Sequence, residues 1–309
     1  MGSQLMAQPD QRRQIRLKED SLMRFADSMI NGTNAMTRFR ADSNFVRGLV
    51  RALQTKNSFH YPFDSLRTVS KLYAPDSAFR IFTWQLKKDE YVFLQKGAIQ
   101  MRTADGSLKL YPLFDASMFT SRPMDSVRTR NNWIGAIYYR IVRKEHNGKA
   151  FYTLLGFDDF SIASNKKWLE VLSFNAKGEP VFGGPVISFA EDSVKRPVQS
   201  RFSIEYKKEA NTVFNYDANL DMIVFDHLIS ETDEPQKKET YIPDGDYEGF
   251  KWKNGQWVHV NKVFDFALRD GEFPVDATIR DAEGNINEQA LEDASQKNIE
   301  KSKKKKGNQ

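Results

Sequence analysis

Short runs of aromatic and β-branched residues, separated by turn dipeptides at fairly even intervals, fill the chain from Phe79 to Val260. Such runs are typical of β-strands joined by tight turns. No helical pattern interrupts them, which argues against parallel βαβ units. The sequence therefore predicts a mainly β (α+β) fold, a curved antiparallel meander of about a dozen strands that is sandwich-like or barrel-like.

Turn residues also predict which strands pair. Asp-Gly and Asn-Gly favour the backbone conformations of two-residue hairpin turns. The predicted hairpin turns are Asp105-Gly106, Asn147-Gly148, Lys177-Gly178 and Asn254-Gly255. By the same argument, Pro180–Phe189 is expected to be one strand, and Arg201–Tyr206 is expected to pair with Thr212–Tyr216.

The region 10–75 has helical rather than strand periodicity. A first amphipathic helix is predicted to end at Asn31-Gly32, and a second to be capped by Asp42 or Ser43. A third, short helix is predicted from Asp64 to Tyr73, before Ala74-Pro75. We expect these helices to pack against the sheet or to plug one end of it.

Four regions follow from these patterns: 1–9, the helical region 10–75, the antiparallel β domain 76–265 and a tail at 266–309. The start, with the small residue Ala7, is similar to the end of a secretory signal; the alternative is a disordered start of a cytoplasmic protein. The tail is acidic and then Lys-rich, and its low apolar content predicts disorder.

Composition excludes several classes of protein. The chain has no cysteine, which rules out a disulfide scaffold, a thiolate nucleophile and a Cys-ligated metal. No stretch approaches the roughly 18–20 apolar residues of a transmembrane segment. The five lysines of Lys301–Lys306 account for the net charge of +5, so nucleic acid is not an expected partner. Residues 1–56, with ten basic and five acidic side chains, favour either an anionic partner or a solvated face.

No catalytic, phosphate-binding or metal-binding motif stands out. Asp217, Asn219 and Asp221 have the spacing of a calcium loop, but Met222 replaces the required Gly and Leu228 the required Glu. A hairpin turn explains these residues. The sequence therefore predicts no cofactor and no metal.

Two segments remain as candidate binding sites. Asp226-His227 places an acid beside an imidazole, although neighbours on a strand point to opposite faces and cannot bond to each other. The segment Tyr241–Trp252 combines acids and large aromatics, which suits sugar or peptide recognition on a loop. The candidate ligand-binding residues are Asp226, His227, Asp244, Asp246, Tyr247 and Trp252. The alternatives are a half-buried histidine bonded to backbone and a loop whose aromatics seal the sheet.

Four stretches resemble a family of uncharacterised exported proteins of Bacteroidetes-type bacteria. They are Tyr138–Asp158, Trp168–Pro185, Met222–Leu228 and Tyr241–Trp257. The resemblance implies a cleaved signal and a periplasmic or cell-envelope location, and it implies no reaction or site residue.

The functional expectation is a non-enzymatic binding, structural or accessory protein of the cell envelope, with an envelope protein or glycan as partner. The alternative is an exported hydrolase whose carboxylates, such as Asp226 or Asp244, converge only in three dimensions. No feature of the sequence predicts an oligomeric state.

Overall fold

Residues 9–264 are described by the structure, a computed structural model. The chain up to Val263 forms one compact unit, and only Phe264 is described from the second unit, 264–309. Residues 1–8 of the predicted signal remnant or disordered start, 1–9, and the predicted tail at 266–309 lie outside the described residues.

Two long helices open the described chain. Helix α1 spans Pro9–Asn31 and helix α2 spans Ala35–Leu53. The predicted end of α1 is confirmed, but the predicted cap of α2 is wrong. Asn34 caps α2 by accepting a hydrogen bond from the Thr37 N–H at 2.9 Å. No helix within residues 9–264 has both the length and the apolar content to cross a membrane.

The predicted third helix, Asp64–Tyr73, is also wrong. Its second half is strand β1, Val69–Tyr73, which pairs with the following strand in the register Val69↔Trp84. The apolar spacing of a short segment does not distinguish helix from strand, and here the available pairing partner decides.

Fifteen strands and four 3-10 turns complete the described residues. The strands are β1 Val69–Tyr73, β2 Phe79–Lys87, β3 Phe93–Met101, β4 Lys109–Phe114, β5 Arg128–Thr129, β6 Ile137–His146, β7 Lys149–Asp158, β8 Ser164–Phe174, β9 Pro180–Phe182, β10 Ile187–Ser188, β11 Arg201–Lys207, β12 Phe214–Asp217, β13 Met222–Ser230, β14 Tyr241–Lys253 and β15 Gln256–Val260. The 3-10 turns are Ser58–His60, Ser117–Phe119, Pro123–Asp125 and Lys238–Thr240.

The strands form three sheets. The first sheet has the order β1-β2-β3-β4 and is antiparallel throughout. The middle sheet has the order β5-β9-β8-β7-β6, with β11 also paired to β8. The outer sheet has the order β10-β15-β14-β13-β12, in which only β10 and β15 run parallel among the described pairs. These open, stacked sheets confirm the predicted mainly β fold with N-terminal helices packed against it, in its sandwich-like form.

Three apolar cores join the layers in the order helices, first sheet, middle sheet, outer sheet. Strand β2 shows why: Phe82, Trp84 and Leu86 contact the helices, whereas Phe79 and Ile81 face the middle sheet. Because alternate residues of a strand point to opposite faces, a strand buried on both sides needs a nearly continuous apolar run.

The middle sheet is likewise buried on both faces. On β8, Trp168 and Leu172 pack towards the first sheet, and Leu169 and Val171 pack towards the outer sheet. Strand β7 repeats this arrangement with Leu154 and Leu155. The middle sheet therefore holds the other layers together.

All four predicted Gly-containing hairpin turns are confirmed by the pairing of their flanking strands. At two of them, both central residues have positive φ: 49° and 72° at Asn147-Gly148, and 49° and 83° at Asn254-Gly255. Asparagine and glycine tolerate this left-handed conformation better than other residues.

The predicted extent of one strand and one predicted pairing are wrong because the chain changes sheet. Pro180–Phe189 is not one strand: after β9 the glycines of Gly183-Gly184 turn the chain, and β10 joins the outer sheet. Strand β11 pairs with β8 in the middle sheet, whereas β12 pairs with β13 in the outer sheet. The partners of these strands are distant in the sequence, and the residues of the strands themselves do not indicate which partner is used.

A buried ion pair fixes the middle sheet to its surroundings. The Arg201 Nε donates to Glu170 Oε1 at 2.8 Å, and both side chains are almost completely buried. Tyr138 donates its hydroxyl to the other oxygen of Glu170, and Arg201 also donates to backbone carbonyls of Pro123 and Ser126. The pair therefore joins β8, β11 and the segment around Pro123.

Replacing Arg201 with alanine should lower the free energy of unfolding by about 3–5 kcal/mol, because it leaves the Glu170 carboxylate buried without its cation. Chemical denaturation measures this change. The matched control is Lys237→Ala, which breaks the exposed Lys237–Glu234 pair and should have a much smaller effect. Equal effects of the two substitutions would contradict the structural role of Arg201.

Candidate functional site

One face of the outer sheet changes from apolar to polar along its strands. Phe225, Phe250 and Trp257 belong to the core between the middle and outer sheets. Strand alternation and the register Phe250↔His259 place Glu248 and His259 on this same inner face. A carboxylate and an imidazole at the end of an otherwise apolar face make this end a candidate functional site.

A bulge in β14 brings a further acid to this face. The register Asp226↔Tyr247 is followed by Leu228↔Pro243, so Asp244-Gly245-Asp246 lies opposite the single residue His227. Gly245 has φ 98°, which glycine adopts without strain. The segment predicted to be a recognition or capping loop is therefore part of a strand, and its turn-forming residues make a bulge. Bulges often redirect side chains next to functional sites.

The bulge places Asp244 against His227. The His227 Nδ1 lies 2.7 Å from Asp244 Oδ2, and its Nε2 lies 3.6 Å from Glu248 Oε1. The alternative prediction for His227, a bond to backbone, is wrong because its partners are carboxylates. As predicted, Asp226 and His227 do not bond to each other.

A second histidine continues the chain of contacts. The His259 Nε2 lies 2.8 Å from Glu248 Oε2, and its Nδ1 lies 2.9 Å from Asp192 Oδ1. Arg196 donates to the other oxygen of Asp192 at 2.7 Å. The guanidinium carbon of Arg196 also lies 3.6 Å from the centroid of the Phe189 ring. We call Asp244, His227, Glu248, His259, Asp192 and Arg196 the histidine–carboxylate chain.

Two carboxylates around one imidazole favour its protonated form. Burial alone would lower the pKa of His259, whose side chain is only 2% exposed, but the hydrogen bonds to Glu248 and Asp192 outweigh burial and raise that pKa above its usual value. A neutral imidazole can donate to only one of the two acids. Burial would raise the pKa of Asp192, but hydrogen bonds from Arg196 and His259 lower it overall.

A cleft of about 460 Å³ opens beside the histidine–carboxylate chain, between β11 and the inner face of the outer sheet. Its size lies in the range of small-ligand sites. Aromatic and aliphatic side chains alternate with charges of both signs around it. The lining residues are Met124, Lys166, Arg196, Phe202, Ser203, Ile204, Glu205, Phe225, Asp226, Leu228, Lys238, Tyr241, Glu248 and His259.

Asp226 differs from the other acids of the cleft. Its carboxylate accepts a hydrogen bond from the Val213 N–H at 2.6 Å. Burial raises the pKa of Asp226, and the nearby charge of Asp244 raises it further. At Asp244, burial acts in the same direction, but the hydrogen bonds of the Asp246 N–H and of His227 lower the pKa overall. The two acids are therefore shifted in opposite directions.

The predicted site residues separate into two groups. Asp226 lines the cleft, and His227 and Asp244 lie against each other beside Glu248. The Asp246 N–H supports the bulge by donating to Asp244 Oδ1 at 3.1 Å. Tyr247 lies on β14 at a position that alternates with Glu248, so it belongs to the opposite face. Trp252 lies away from them, between the rings of Phe151 and Trp257.

Sequence reasoning missed the centre of the site. Glu248, His259 and Asp192 were not candidates, and neither were the cleft residues contributed by β11. A signal existed for two of them: on β14 and β15, Glu248 and His259 interrupt an alternating series of buried aromatics. Asp192 and Arg196 gave no signal, since their loop reaches the outer sheet only in three dimensions.

No group of three or more His, Asp and Glu side chains within residues 9–264 is arranged to hold a metal ion. The acids of the histidine–carboxylate chain are instead bonded to imidazoles, to Arg196 or to backbone.

The raised pKa of His259 makes stability depend on pH. Since its folded pKa exceeds its unfolded value near 6.5, its contribution is complete below that pH and is lost as pH rises through the folded pKa. His259→Gln should therefore cost more stability at pH 5.5 than at pH 9, measured by chemical denaturation.

An NMR titration of the imidazole provides the direct check. It should give a pKa above 6.5 for His259 in the wild type and a lower one in Glu248→Gln. A wild-type pKa at or below 6.5 would show that the two carboxylates do not hold a charged imidazole.

Comparison of the chain with protein-family models, curated proteins and solved structures finds no significant match.

Proposed function

We propose that the protein is a non-enzymatic binding protein of the cell envelope, and that the cleft between β11 and the outer sheet binds a polar segment of an envelope glycan. The observation that carries this proposal is the lining of the cleft. The lining includes the Tyr241 ring, whose centroid lies 3.9 Å from the Lys238 Nζ, and the Lys166–Glu205 ion pair, in which Nζ lies 3.2 Å from Oε2. Rings that cover apolar sugar faces and charged groups that bond hydroxyls are a suitable combination for carbohydrate.

The state of the titratable groups favours binding over catalysis. The best candidates for acid–base chemistry, His227 and His259, are each held by carboxylates. A general base needs access to a substrate proton, and His259 has both ring nitrogens occupied. Such a network instead makes the cleft wall rigid, which lowers the entropy cost of binding.

The envelope location is supported by the resemblance of stretches such as Tyr138–Asp158 to exported proteins of Bacteroidetes-type bacteria. Fractionation of a native host tests it. The protein should be recovered with the periplasm or envelope, and recovery in the cytoplasm would remove the basis for an envelope ligand.

Binding is measured by calorimetry with soluble peptidoglycan fragments and lipopolysaccharide oligosaccharides. Tyr241→Ala should weaken binding about three- to tenfold, which corresponds to the loss of an aromatic contact of about 0.5–1.5 kcal/mol. The matched control is Tyr91→Ala, since Tyr91 is an exposed tyrosine before β3 in the first sheet. Absence of binding to every glycan, or equal losses in both variants, would contradict the proposal.

A second candidate function is an exported hydrolase. The observation that favours it is the opposite pKa shifts of Asp226 and Asp244, since two acids held in different protonation states can serve as acid and base. Hydrolysis of the same glycan fragments should then fall at least a hundredfold in Asp226→Asn and in Asp244→Asn. Asp217→Asn, at the last residue of β12, is the control. Undiminished hydrolysis in both variants would exclude this function for the pair.

A further inference from the structure

The outer surface of the helical layer carries a groove between α1 and α2. Its volume is about 670 Å³. On α1 the lining residues recur at intervals of three and four, and α2 supplies a second row with the same spacing. The lining residues are Gln14, Leu17, Lys18, Ser21, Leu22, Phe25, Asn44, Arg47, Gly48 and Arg51. Such spacing places each row on one face of its helix.

The floor of the groove is apolar. Leu22 is buried, Phe25 is partly buried, and Leu17 is 64% exposed. Gly48 lets α2 approach α1 closely at this point, because a Cβ there would lie only 2.9 Å from the Leu22 Cδ2. The apolar surface that remains accessible in the groove is therefore formed mainly by Leu17 and Phe25.

The walls of the groove carry only positive charge. Lys18, Arg47 and Arg51 line it, and no acidic side chain does. Lys18 donates to the Arg51 carbonyl and the Thr55 hydroxyl, each at 3.0 Å, and Arg47 donates to Asn44 at 2.8 Å. Among residues 9–264, none of the three cations forms an ion pair. Their charge is therefore available to a partner.

We propose that this groove binds an amphipathic helix of a partner protein whose apolar stripe is flanked by Asp and Glu. The apolar floor fits the stripe, and the cations on both walls fit the acids beside it. The α1 row from Gln14 to Phe25 is long enough for about three helical turns, or roughly 16 Å. Packing of a third helix would bury Leu17 and complete a three-helix layer.

The geometry favours a helix over a membrane surface. A helix that lies on a membrane presents its apolar residues along an exposed crest. Here Leu22 and Phe25 lie in a depression between two helices, where a flat lipid surface cannot reach them. The groove is on the helical layer and the glycan cleft adjoins the outer sheet, so this proposal does not depend on the proposed function.

The test uses the full chain and two synthetic helical peptides of equal length. Both have leucines at positions i, i+3, i+4 and i+7; one has glutamates beside this stripe and the other has lysines. Fluorescence anisotropy should show binding of the glutamate peptide at least tenfold tighter than that of the lysine peptide. Higher salt should reduce this preference, because charge pairs are screened.

Variants locate the site. Arg47→Glu with Arg51→Glu should weaken binding of the glutamate peptide at least tenfold, and Leu17→Asn should weaken binding of both peptides. The matched control is Arg12→Glu with Arg13→Glu, which makes the same charge change on α1 outside the groove. Circular dichroism confirms that each variant is folded.

Three results would overturn the proposal. One is equal affinity for the two peptides, and another is equal loss in the control and groove variants. The third is binding to vesicles that contain phosphatidylglycerol, with no binding to either peptide, because this would assign the surface to lipid.

Discussion

Burial of the middle sheet on both faces is the constraint on which the other layers depend. Strands β7 and β8 need apolar residues on both sides, and Leu154 with Leu155 and Leu169 with Leu172 supply them. Each exposed face would leave large apolar areas in water at a cost of about 25 cal/mol per Å². The first sheet covers one face and the outer sheet covers the other. The helices in turn cover the free face of the first sheet, where Phe82 and Trp84 lie.

Polar groups inside this stack have two different roles. The Arg201–Glu170 pair is buried and bonded on every side, so it joins β8, β11 and the backbone near Pro123 without access to a ligand. The histidine–carboxylate chain lies where the inner face of the outer sheet stops being apolar, and three of its members, Arg196, Glu248 and His259, border an open cleft. The bulge at Gly245 makes this arrangement possible, because it directs Asp244 towards His227 while β14 remains paired with β13.

Local signals determined what could be predicted from the sequence. Hairpin turns such as Asn147-Gly148 and Asn254-Gly255 were predictable because two residues set both the turn and the register. The sheet changes after β9 and β11 were not, since the partners of these strands are chosen by packing between distant segments. The same limit applied to the site. Asp226, His227 and Asp244 were candidates from local composition, but Glu248 and His259 are recognised only when β14 and β15 are aligned on one face.

Mapping of ligand contacts by NMR tests the central claim that the cleft beside the histidine–carboxylate chain is the binding surface. Soluble peptidoglycan fragments and lipopolysaccharide oligosaccharides would be titrated into the isotopically labelled protein, and backbone amide shifts followed. If the cleft binds the glycan, saturable shifts should be concentrated at Ser203, Glu205, Tyr241 and Glu248, and those of the first sheet should remain unchanged. Absence of saturable shifts, or shifts concentrated away from these residues, would contradict it.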